Sequence, residues 1–563
     1  MRRETLSFSL LLLPLLSAAP AAQLGLPELT QLEELVPASA QAGDQFGASV
    51  ALSGDLAVIG APMHDVVPAG GGPLLVDAGA AFVYQRSGAG WSLLATLTGS
   101  QAQAGDQFGW AVAIEGQLIA VGAPGAAPPG LAPGRGRAYV FQDSPILGIF
   151  ERQILDGAPN PGGFGAALAI EGGEVFVGAS PGAVGPSGSV YVYKDATGLS
   201  YALSQELNLN VCGCAQLNNA FGRSLAVSGD TLMVGAHRHG GAQSLGRVFV
   251  FERASAASPF GSNPASLDQP SPKPCDFFGH AIALEGDVAV IGAYNWNEVG
   301  GSSVNVGRAF EFRRMGTQFL PGQELGYPNQ NTDDQGGFSV ALSGSRVFSG
   351  VRFDDIVGTT DAGSVATYDL GIPGTSKLVL PSSPQQGELF GYAMAAEADT
   401  LLVGATQAGP GATPGTGRVR VFQVCDDGPG GGSARLVRSP AALSVSNVGT
   451  CQFELRVCPS SSTGIYLLLG SASGTQPGFP VGGVTLPLNL DPLLMASVQL
   501  ANSTELPQSL GSFGPGSVPA PQFVLPPGAL TTSGFTWDFA CLVLSALGQP
   551  VLASNAVSLE FVP

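Results

Sequence analysis

Few side chains in this sequence are suited to catalysis or metal binding, because it contains only four histidines and seven cysteines. His237 and His239 stand two residues apart and could reach one metal ion from a single loop. A structural zinc site takes four ligands, and no matching second pair is visible, so we expect a surface loop there. No histidine has a nucleophile motif beside it. The sequence therefore predicts no catalytic residue, cofactor or metal, and a protein that is not an enzyme.

Carboxylates are more numerous, but their positions argue against acid–base chemistry. Glu115, Glu171 and Glu285 stand at equivalent turns of three different segments, so we expect them to face solvent far from one another. Glycoside hydrolysis needs two carboxylates within about 5–10 Å of each other. These three glutamates therefore do not predict a hydrolytic pair.

Candidate ligand-binding residues stand in variable segments that follow short apolar runs. Loops held by a rigid scaffold carry binding residues preferentially, and Trp, Tyr and Arg dominate binding hot spots. On this basis we predict a ligand-binding surface that includes His64, Asp65, His237, His239, Trp296, Glu298, Arg352 and Asp354. The alternative is that these segments are solvated connections with incidental aromatic residues.

The elements that would position these loops belong to an internal repeat. A Phe-Gly pair, a short apolar strand and a Gly-Ala-Pro-like ending return roughly every 55 residues. The Phe-Gly pairs begin at Phe46, Phe108, Phe164, Phe221, Phe278 and Phe390. A further copy, the sixth in chain order, has Gly336-Gly337 in place of Phe-Gly, which makes seven copies.

Each copy predicts four antiparallel strands. A Gly followed by a small polar residue, as in Gly54-Asp55, suits the turn between the first two strands because Gly accepts positive φ. One four-stranded sheet cannot bury both of its faces, whereas sheets packed radially can. We therefore predict an all-β protein whose main domain, residues 23–424, is a seven-bladed β-propeller. The last copy lacks a fourth strand, so we expect the segment 32–36 to complete it.

The paired Phe-Gly and Gly-Ala-Pro motif resembles the FG-GAP repeats of integrin α-chain heads and of FG-GAP proteins secreted by bacteria. The resemblance spans residues 30–424 and implies the propeller fold. In the integrin-type repeat, an Asp-rich calcium loop separates the two halves of the motif. Here a short turn such as Ser53-Gly54-Asp55 fills that interval, whereas calcium takes about six to eight oxygen ligands. The resemblance therefore implies the fold without the calcium sites.

Acidic or amide side chains stand two residues before most of the repeated phenylalanines. They are Asp44, Asp106, Asn219, Asp276, Asp334 and Glu388. A ring of such groups around the propeller axis could bind a cation. Asp and Asn also bond their own nearby backbone amides, and we expect this turn-capping role.

The cysteines allow disulfides but leave one thiol unpaired. Cys275 falls in the loop that neighbours the one carrying Cys212 and Cys214, so a bridge from Cys275 to either is expected. Cys451 and Cys458 lie seven residues apart on one predicted strand and point to opposite faces, so either could instead reach Cys541. Free thiols are the alternative at each position.

Charge and the N-terminal segment point to an extracellular location. The net charge is −19, and no cationic cluster exists that could bind phosphate backbones, so nucleic acid is excluded as a partner. Arg2 and Arg3 precede a short apolar run and small residues, which predicts a signal peptide over residues 1–22. We expect a secreted protein, extracellular or on the cell surface, with the periplasm possible and no transmembrane segment after cleavage.

The C-terminal part does not continue the repeat. Residues 425–437 are Gly-rich and predict a flexible linker. Residues 438–563 show short strand-like segments between Gly and Pro turns, which predict a β-sandwich. The stretch from Tyr466 to Thr475, together with Leu486-Pro487-Leu488-Asn489, resembles a C-terminal module of secreted bacterial proteins that has no established chemistry.

These features favour a secreted or cell-surface adhesion protein that presents propeller loops to an extracellular protein or glycan. One alternative is a propeller enzyme acting on polysaccharide, which would need carboxylates, or His with Tyr or Arg, converging on one face. A tight cleft that holds two of Asp65, Glu298, Asp354 and Asp355 would favour it. The other is a structural envelope component without a specific ligand. Fold alone does not decide among them.

Overall fold

We analysed a computed structural model of the chain. It describes, in the first part of the chain, residues 28–68, 70–87, 90–127, 130, 134–157, 162–180, 187–209, 219–297, 305–328, 330–356, 358–371, 374, 376–408 and 415–425. Beyond residue 425 it describes the backbone of the strands given below. The predicted signal peptide, residues 1–22, lies outside the described residues.

Seven four-stranded antiparallel sheets, the blades, account for the first part of the chain. In chain order the strands are β1 Glu28–Leu35, β2 Ser49–Ser53, β3 Leu56–Ala61, β4 Ala80–Ser87, β5 Gly90–Leu97, β6 Ala111–Glu115, β7 Leu118–Ala123, β8 Arg137–Ser144, β9 Gly148–Leu155, β10 Phe164–Glu171, β11 Glu174–Ala179, β12 Ser189–Lys194, β13 Ala202–Asn208, β14 Phe221–Ser228, β15 Thr231–Ala236, β16 Arg247–Glu252, β17 Ala265–Leu267, β18 Ile282–Glu285, β19 Val288–Ala293, β20 Arg308–Met315, β21 Gln318–Leu325, β22 Gly336–Ser343, β23 Arg346–Val351, β24 Ser364–Asp369, β25 Lys377–Val379, β26 Phe390–Glu397, β27 Thr400–Ala405 and β28 Arg418–Cys425. A 3-10 turn spans Gly241–Gln243.

The second strand of each blade explains the apolar part of the repeat. All six residues of β3, β7 and β15 are buried, because these strands lie inside the sheet with neighbouring blades on both faces. Strands buried on both faces have continuous apolar sequences rather than alternating ones. The first strands, such as β2, are half-buried because they line the axis.

The Phe-Gly and Gly-Ala halves of the motif meet between blades. Phe108 is buried and contacts Tyr139 edge-to-face at a centroid distance of 5.2 Å. The glycine that follows it, Gly109, lies directly against Gly60 of the preceding blade. A Cβ on Gly60 would lie 1.9 Å from the Gly109 carbonyl oxygen, so only glycine permits this approach.

The sixth copy, which lacks the Phe-Gly phenylalanine, fills the vacant position with a different side chain. Tyr327 is buried, and a Cβ on Gly336 would lie 2.3 Å from its ring. The Tyr327 hydroxyl donates a hydrogen bond to the Val306 carbonyl oxygen at 2.7 Å. The tyrosine, from the segment just before the repeat, thus takes the place of the missing ring.

The predicted closure of the ring is confirmed. The strand β1 pairs antiparallel with β28, so the seventh blade has the order β26-β27-β28-β1. Leu35 of β1 is buried opposite Val419, and Glu34 pairs with Arg418 at 2.6 Å. The N-terminal strand therefore supplies the fourth strand that the last copy lacks.

A circle of hydrogen bonds joins neighbouring blades at the face where the first strands end; we call it the turn ring. In six interfaces, a side chain at the end of one first strand accepts a hydrogen bond from a turn amide of the next blade. These acceptors are Ser53, Glu115, Glu171, Ser228, Glu285 and Glu397. Glu115, Glu171 and Glu285 thus lie in different blades, and each holds the neighbouring turn.

The last of these bonds, from the Gly54 amide to Glu397 at 2.8 Å, links the first blade to the seventh. At the remaining interface, the Ser343 hydroxyl donates to the Ala398 carbonyl oxygen at 3.4 Å. The turn ring therefore continues around the whole disc.

Beyond the propeller the described backbone is also all β-strand. The strands are β29 Ser433–Ser439, β30 Ala442–Ser444, β31 Gly449–Cys458, β32 Gly464–Ser471, β33 Phe479–Val481, β34 Val484–Leu486, β35 Leu510–Phe513, β36 Gln522–Leu525, β37 Phe535–Leu544, β38 Pro550–Ala553 and β39 Val557–Val562. They form a three-stranded sheet, a six-stranded sheet and a hairpin. The strand β29 begins within the segment predicted as a linker.

Candidate functional site

The face opposite the turn ring has an opening on the propeller axis, which we call the axial mouth. Two kinds of position line it: the residue that follows each Phe-Gly pair, and the residue that follows each second strand. Large side chains at these positions are Trp110, Arg223, His280, Phe338 and Tyr392 after Phe-Gly, and His237, Tyr294 and Arg352 after the second strand, with Arg238 next to His237. The cavity on the axis has a volume of about 280 Å³.

Large side chains are distributed unevenly around the axial mouth. After Phe-Gly, blades 1 and 3 carry Ala48 and Ala166. After the second strand, blades 1 to 3 carry Pro62, Pro124 and Ser180. Blades 4 to 7 therefore fill their side of the mouth, whereas the small residues of blades 1 to 3 leave space.

That space is a second cavity of about 480 Å³, which we call the side cavity. Its polar and aromatic lining is Gln107, Trp110, Ser180, Arg223, His237 and Arg238. It shares Trp110, Ala166 and Arg223 with the axial cavity. The two cavities therefore adjoin at the third blade.

Aromatic rings follow one another along the crowded side of the mouth. The His280 ring lies 4.6 Å from Tyr294 and 4.8 Å from Phe338, measured between ring centroids. Phe338 in turn lies 5.1 Å from Tyr392. Blades 5, 6 and 7 thus present a continuous aromatic surface, and such rings offer flat apolar faces to a ligand.

Two arginines cover aromatic rings at the mouth. The Arg352 guanidinium lies 3.7 Å from the centroid of Phe338 and donates to Gln335 Oε1 at 2.9 Å. The Arg223 guanidinium lies 5.3 Å from the centroid of Trp110, two blades away. Cation–π contacts of this kind hold a guanidinium in place. Hydrogen bonds add to this, because Arg352 donates to Gln335 from Nη2 as well as Nε, and Arg223 Nη1 donates to the Ala166 carbonyl oxygen at 3.3 Å.

The positive charge at the mouth has no carboxylate partner. Among the described residues, no Asp or Glu side chain forms an ion pair with Arg223, Arg238 or Arg352, and none lines the axial or the side cavity. Burial lowers the pKa of Arg223, and the neighbouring charge of Arg238 lowers it further. Burial also lowers the pKa of Arg352. The site therefore concentrates cationic groups in a protein that is acidic overall.

Both histidines of the mouth are neutral at neutral pH. Burial, and then the charge of Arg223, lower the pKa of His280 to about 3. Its Nδ1 lies 3.1 Å from the Phe338 carbonyl oxygen, which makes Nδ1 the donor. Burial, and then His280, lower the pKa of His237 well below 6.5. His237 is 7% exposed, and its Nδ1 has no hydrogen-bond partner.

The predicted binding residues divide according to their place in the loop. His237 and Arg352 stand first after the second strand and belong to the axial mouth. His64, His239, Trp296 and Asp354 stand third and are buried. In each case the amide of the third residue bonds back to the last strand residue, as from His239 to Ala236 at 2.8 Å. This tight turn points the third side chain into the blade.

The buried third-position side chains have structural partners. His64 Nδ1 bonds to Asp44 at 2.7 Å. Trp296 is covered by Arg308 at 3.8 Å. These side chains therefore support the loop and do not meet the mouth.

Two acidic residues of these loops, Asp65 and Asp355, form hydrogen bonds within their own loops. Asp65 accepts a hydrogen bond from the Asp77 amide at 3.0 Å, within its own loop. Asp355 does the same for the Asp361 amide at 2.9 Å. Glu298 lies outside the described residues.

Sequence reasoning missed the residues that follow Phe-Gly. Those positions read Ala48, Trp110, Ala166, Arg223, His280, Phe338 and Tyr392. The repeat contains the signal that identifies these residues. The Phe-Gly pair is nearly constant among the copies, whereas the residue directly after it varies in size and charge.

The acidic residues before the phenylalanines cap turns, as expected. Asp44, Asp106, Asp276 and Asp334 each accept a hydrogen bond from the amide three residues earlier, at 2.7 to 2.8 Å. Glu388 instead forms a fully buried pair with Arg420 at 2.9 Å. Within the described part of the chain, no group of three His, Cys, Asp or Glu residues could hold a metal ion.

The cysteine predictions remain predictions. Cys275 is exposed and has no disulfide among the described residues, but its expected partners Cys212 and Cys214 lie outside them. Cys451 and Cys458 belong to β31 and Cys541 belongs to β37, and only the backbone of these strands is described. The described segments also contain no helix with the length and apolar character needed to cross a bilayer.

Comparison with known proteins identifies the repeat. The FG-GAP repeat family model matches residues 29–84, 91–141 and 215–251. No curated protein matches the chain.

The matches to solved structures have low sequence identity and low TM-scores. The β-propeller domain of the trilobed protease from Pyrococcus furiosus is 8% identical with a TM-score of 0.36, and the match covers 71% of this chain and 94% of that one. Acylaminoacyl peptidase from Pyrococcus horikoshii is 8% identical with a TM-score of 0.37, covering 72% and 57%. An α-L-arabinofuranosidase from Clostridium thermocellum is 11% identical with a TM-score of 0.27, covering 49% and 93%. At these TM-scores the likenesses carry no functional argument. The chain therefore contains FG-GAP repeats, matched in three segments, and folds as a seven-bladed β-propeller.

Proposed function

We propose that this protein is a secreted or cell-surface binding protein, located outside the cell or in the periplasm, that receives an extracellular protein or glycan at the axial mouth. The supporting observation is the gathering of arginines and aromatic rings from blades 2 and 4 to 7 around the two adjoining cavities. Aromatic and Arg side chains contribute most to binding hot spots. Cavities of about 300–1,000 Å³ with a few placed polar groups are typical of ligand sites.

The chemistry of the lining favours binding over a hydrolase that uses a pair of carboxylates. An enzyme that uses His with Tyr or Arg stays the second candidate, because His280 lies against Tyr294 at the mouth. Hydrolysis of a glycosidic bond uses two carboxylates on either side of that bond. The described residues that line the mouth include no carboxylate. Asp65 and Asp355 brace their own loops in different blades, and Asp354 is buried. An envelope component without a ligand would not need such a concentration of charge.

We further propose that the strands after residue 425 form the predicted β-sandwich and dock the propeller to the cell surface. The two larger sheets there, β29-β31-β36 and the six-stranded sheet, are compatible with two packed layers. The propeller would then be free to present the axial mouth to a ligand.

The experiment is a screen of the full chain against glycan and protein arrays, repeated with Trp110→Ala. We expect a ligand whose binding falls at least tenfold in this variant, because truncating one hot-spot residue costs about 2 kcal/mol or more. Phe150→Ala is the matched control, since Phe150 is an exposed aromatic residue on the outer strand β9. Equal losses in both variants, or no ligand that depends on Trp110, would reject the proposal.

A further inference from the structure

The ionic partners of the arginines distinguish the mouth from the rest of the protein. Outside the mouth, arginines such as Arg137, Arg152 and Arg247 each pair with an Asp carboxylate. The chain has 42 acidic and 23 basic residues, so acidic partners are plentiful. The mouth nevertheless brings together the guanidinium groups of Arg223, Arg238 and Arg352. Among the described residues, none of the three has a carboxylate partner.

Unpaired guanidinium groups in a cavity select for anions. The guanidinium fork matches a carboxylate with two parallel N–H donors. Without such a partner, Arg223 is repelled by Arg238 and carries a burial cost that a bound anion would offset. The ligand of this cavity therefore carries negative charge.

The other polar groups of the side cavity carry no charge. His237 lines this cavity, and its imidazole is neutral because burial lowers its pKa. Gln107 and Ser180 are the remaining polar residues of the lining. The charge available to a ligand in the side cavity is therefore that of Arg223 and Arg238.

The aromatic residues indicate the shape of the ligand. Trp110 borders both cavities, and Phe338 and Tyr392 continue the aromatic surface across the axis. Flat apolar rings complement flat ring faces that carry C–H groups, and hydroxyl groups at the ring edge reach the surrounding polar side chains. Two adjoining cavities bordered by one Trp suit consecutive ring units of a chain.

On these grounds we propose that the axial mouth binds an acidic polysaccharide, with the carboxylate of one sugar ring held by Arg223 and Arg238 in the side cavity. The inference rests on the proposed function and adds the class of ligand. It places the following sugar rings on the aromatic surface formed by Phe338 and Tyr392.

The test is the affinity of the full chain for polygalacturonate, alginate and hyaluronate, measured by calorimetry or biolayer interferometry. Fully methyl-esterified polygalacturonate is the matched ligand control, because it keeps the sugar rings and removes the charge. We expect at least one of the carboxylated chains to bind, and its neutral counterpart to bind at least about tenfold more weakly. Added salt should weaken binding of the charged chain.

Two variants locate the charge contact. Arg223→Gln and Arg238→Gln should each weaken binding of the acidic chain by roughly 10- to 100-fold, as expected for a lost hydrogen bond to a charged group. Arg247→Gln is the matched control: it removes the same charge from a surface arginine that pairs with Asp268. Thermal melts of all three variants separate loss of binding from loss of fold.

Each outcome decides the inference. Equal binding of the acidic chain and its methyl ester, equal losses in Arg223→Gln and Arg247→Gln, or no binding of any carboxylated polysaccharide would overturn it. Preference for polyglutamate or for dextran sulfate would assign the mouth to an acidic peptide or to sulfated sugars instead. A neutral ligand that depends on Trp110 would reject the acidic polysaccharide while the proposed function stands.

Discussion

The two faces of this propeller use the repeat in opposite ways. On the turn ring, equivalent positions carry a Ser or Glu acceptor and make the same kind of contact from blade to blade. At the axial mouth, the position after Phe-Gly carries Ala, Trp, Arg, His, Phe or Tyr. The contacts that hold neighbouring blades must recur, because each interface has the same geometry. A position that faces only the opening has no such constraint, and there the blades differ.

The strongest challenge to this comparison is removal of the strand that closes the ring. Deleting residues 23–37 removes β1, exposes the edge of β28 and uncovers the surface that Leu35 buries. We expect a sharp drop in melting temperature, measured by scanning calorimetry. A melt that matches the intact chain would mean that closure contributes little.

A single added methyl group between two blades should lower the stability of the propeller. In Gly122→Ala the new Cβ would lie 2.0 Å from the Gly165 carbonyl oxygen of the next blade. We expect a loss of about 3 kcal/mol or more in the free energy of unfolding, measured by denaturant titration. Gly70→Ala is the control, since no heavy atom lies within 4 Å of a Cβ there. Similar stabilities for the two variants would contradict the proposed glycine contact.

Lowering the pH should reveal the contribution of a residue at the mouth, His280, to the stability of the protein. His280 has a pKa of about 3 in the fold and about 6.5 unfolded. Below that unfolded value only the unfolded chain binds the proton, so stability is lost as pH falls. The expected loss is up to about 1.4 kcal/mol per pH unit. Removing the imidazole in His280→Phe should remove this loss.

The comparison of wild type with His280→Phe is needed because buried carboxyl groups, among them Asp276 and Asp334, act in the opposite direction. Burial raises the pKa values of Asp276 and Asp334 to about 6, so their contribution to stability is lost as pH rises through 6. Both remain in the variant and cancel in the difference. The difference in melting temperature between wild type and variant is measured at about pH 7.5 and about pH 5. We expect the variant to gain relative to wild type at the lower pH. A constant difference would refute a neutral, buried His280.

The smallest expected effect is on the turn ring. Glu115 accepts hydrogen bonds from the Gly172 and Gly173 amides, both at 2.8 Å. Glu115→Ala should cost about 1 kcal/mol in the free energy of unfolding, because the contact is partly solvated, and should leave ligand binding unchanged. Gln117→Ala, at the exposed turn next to it, should be neutral. A change in ligand affinity in Glu115→Ala would mean that the two faces are coupled.

Sequence patterns predicted the blades well because the repeat encodes contacts that are local or recur. Phe-Gly, the Gly turn and the apolar second strand each predict a backbone feature. The missing fourth strand of the seventh copy predicts the role of the N-terminal strand. The loop residues were harder to place. In the three-residue turn after the second strand of the sixth blade, Arg352 points to the mouth and Asp354 points into the blade. Both side chains are charged, so hydrophobicity does not predict which of the two is buried. Tyr327 replaces a missing phenylalanine from outside the motif, which no periodicity predicts.

The pairing of β1 with β28 also sets the order of events during synthesis. Glu28 and Cys425 are partners in that ladder, so the earliest strand of the disc must wait, without its neighbour, until the latest one leaves the ribosome. Contacts between such distant segments slow folding, and an unpaired strand edge is a site for wrong association. A nascent chain of this protein is thus vulnerable for nearly the full time needed to make the propeller, which makes protection of its first strand a requirement for high yield.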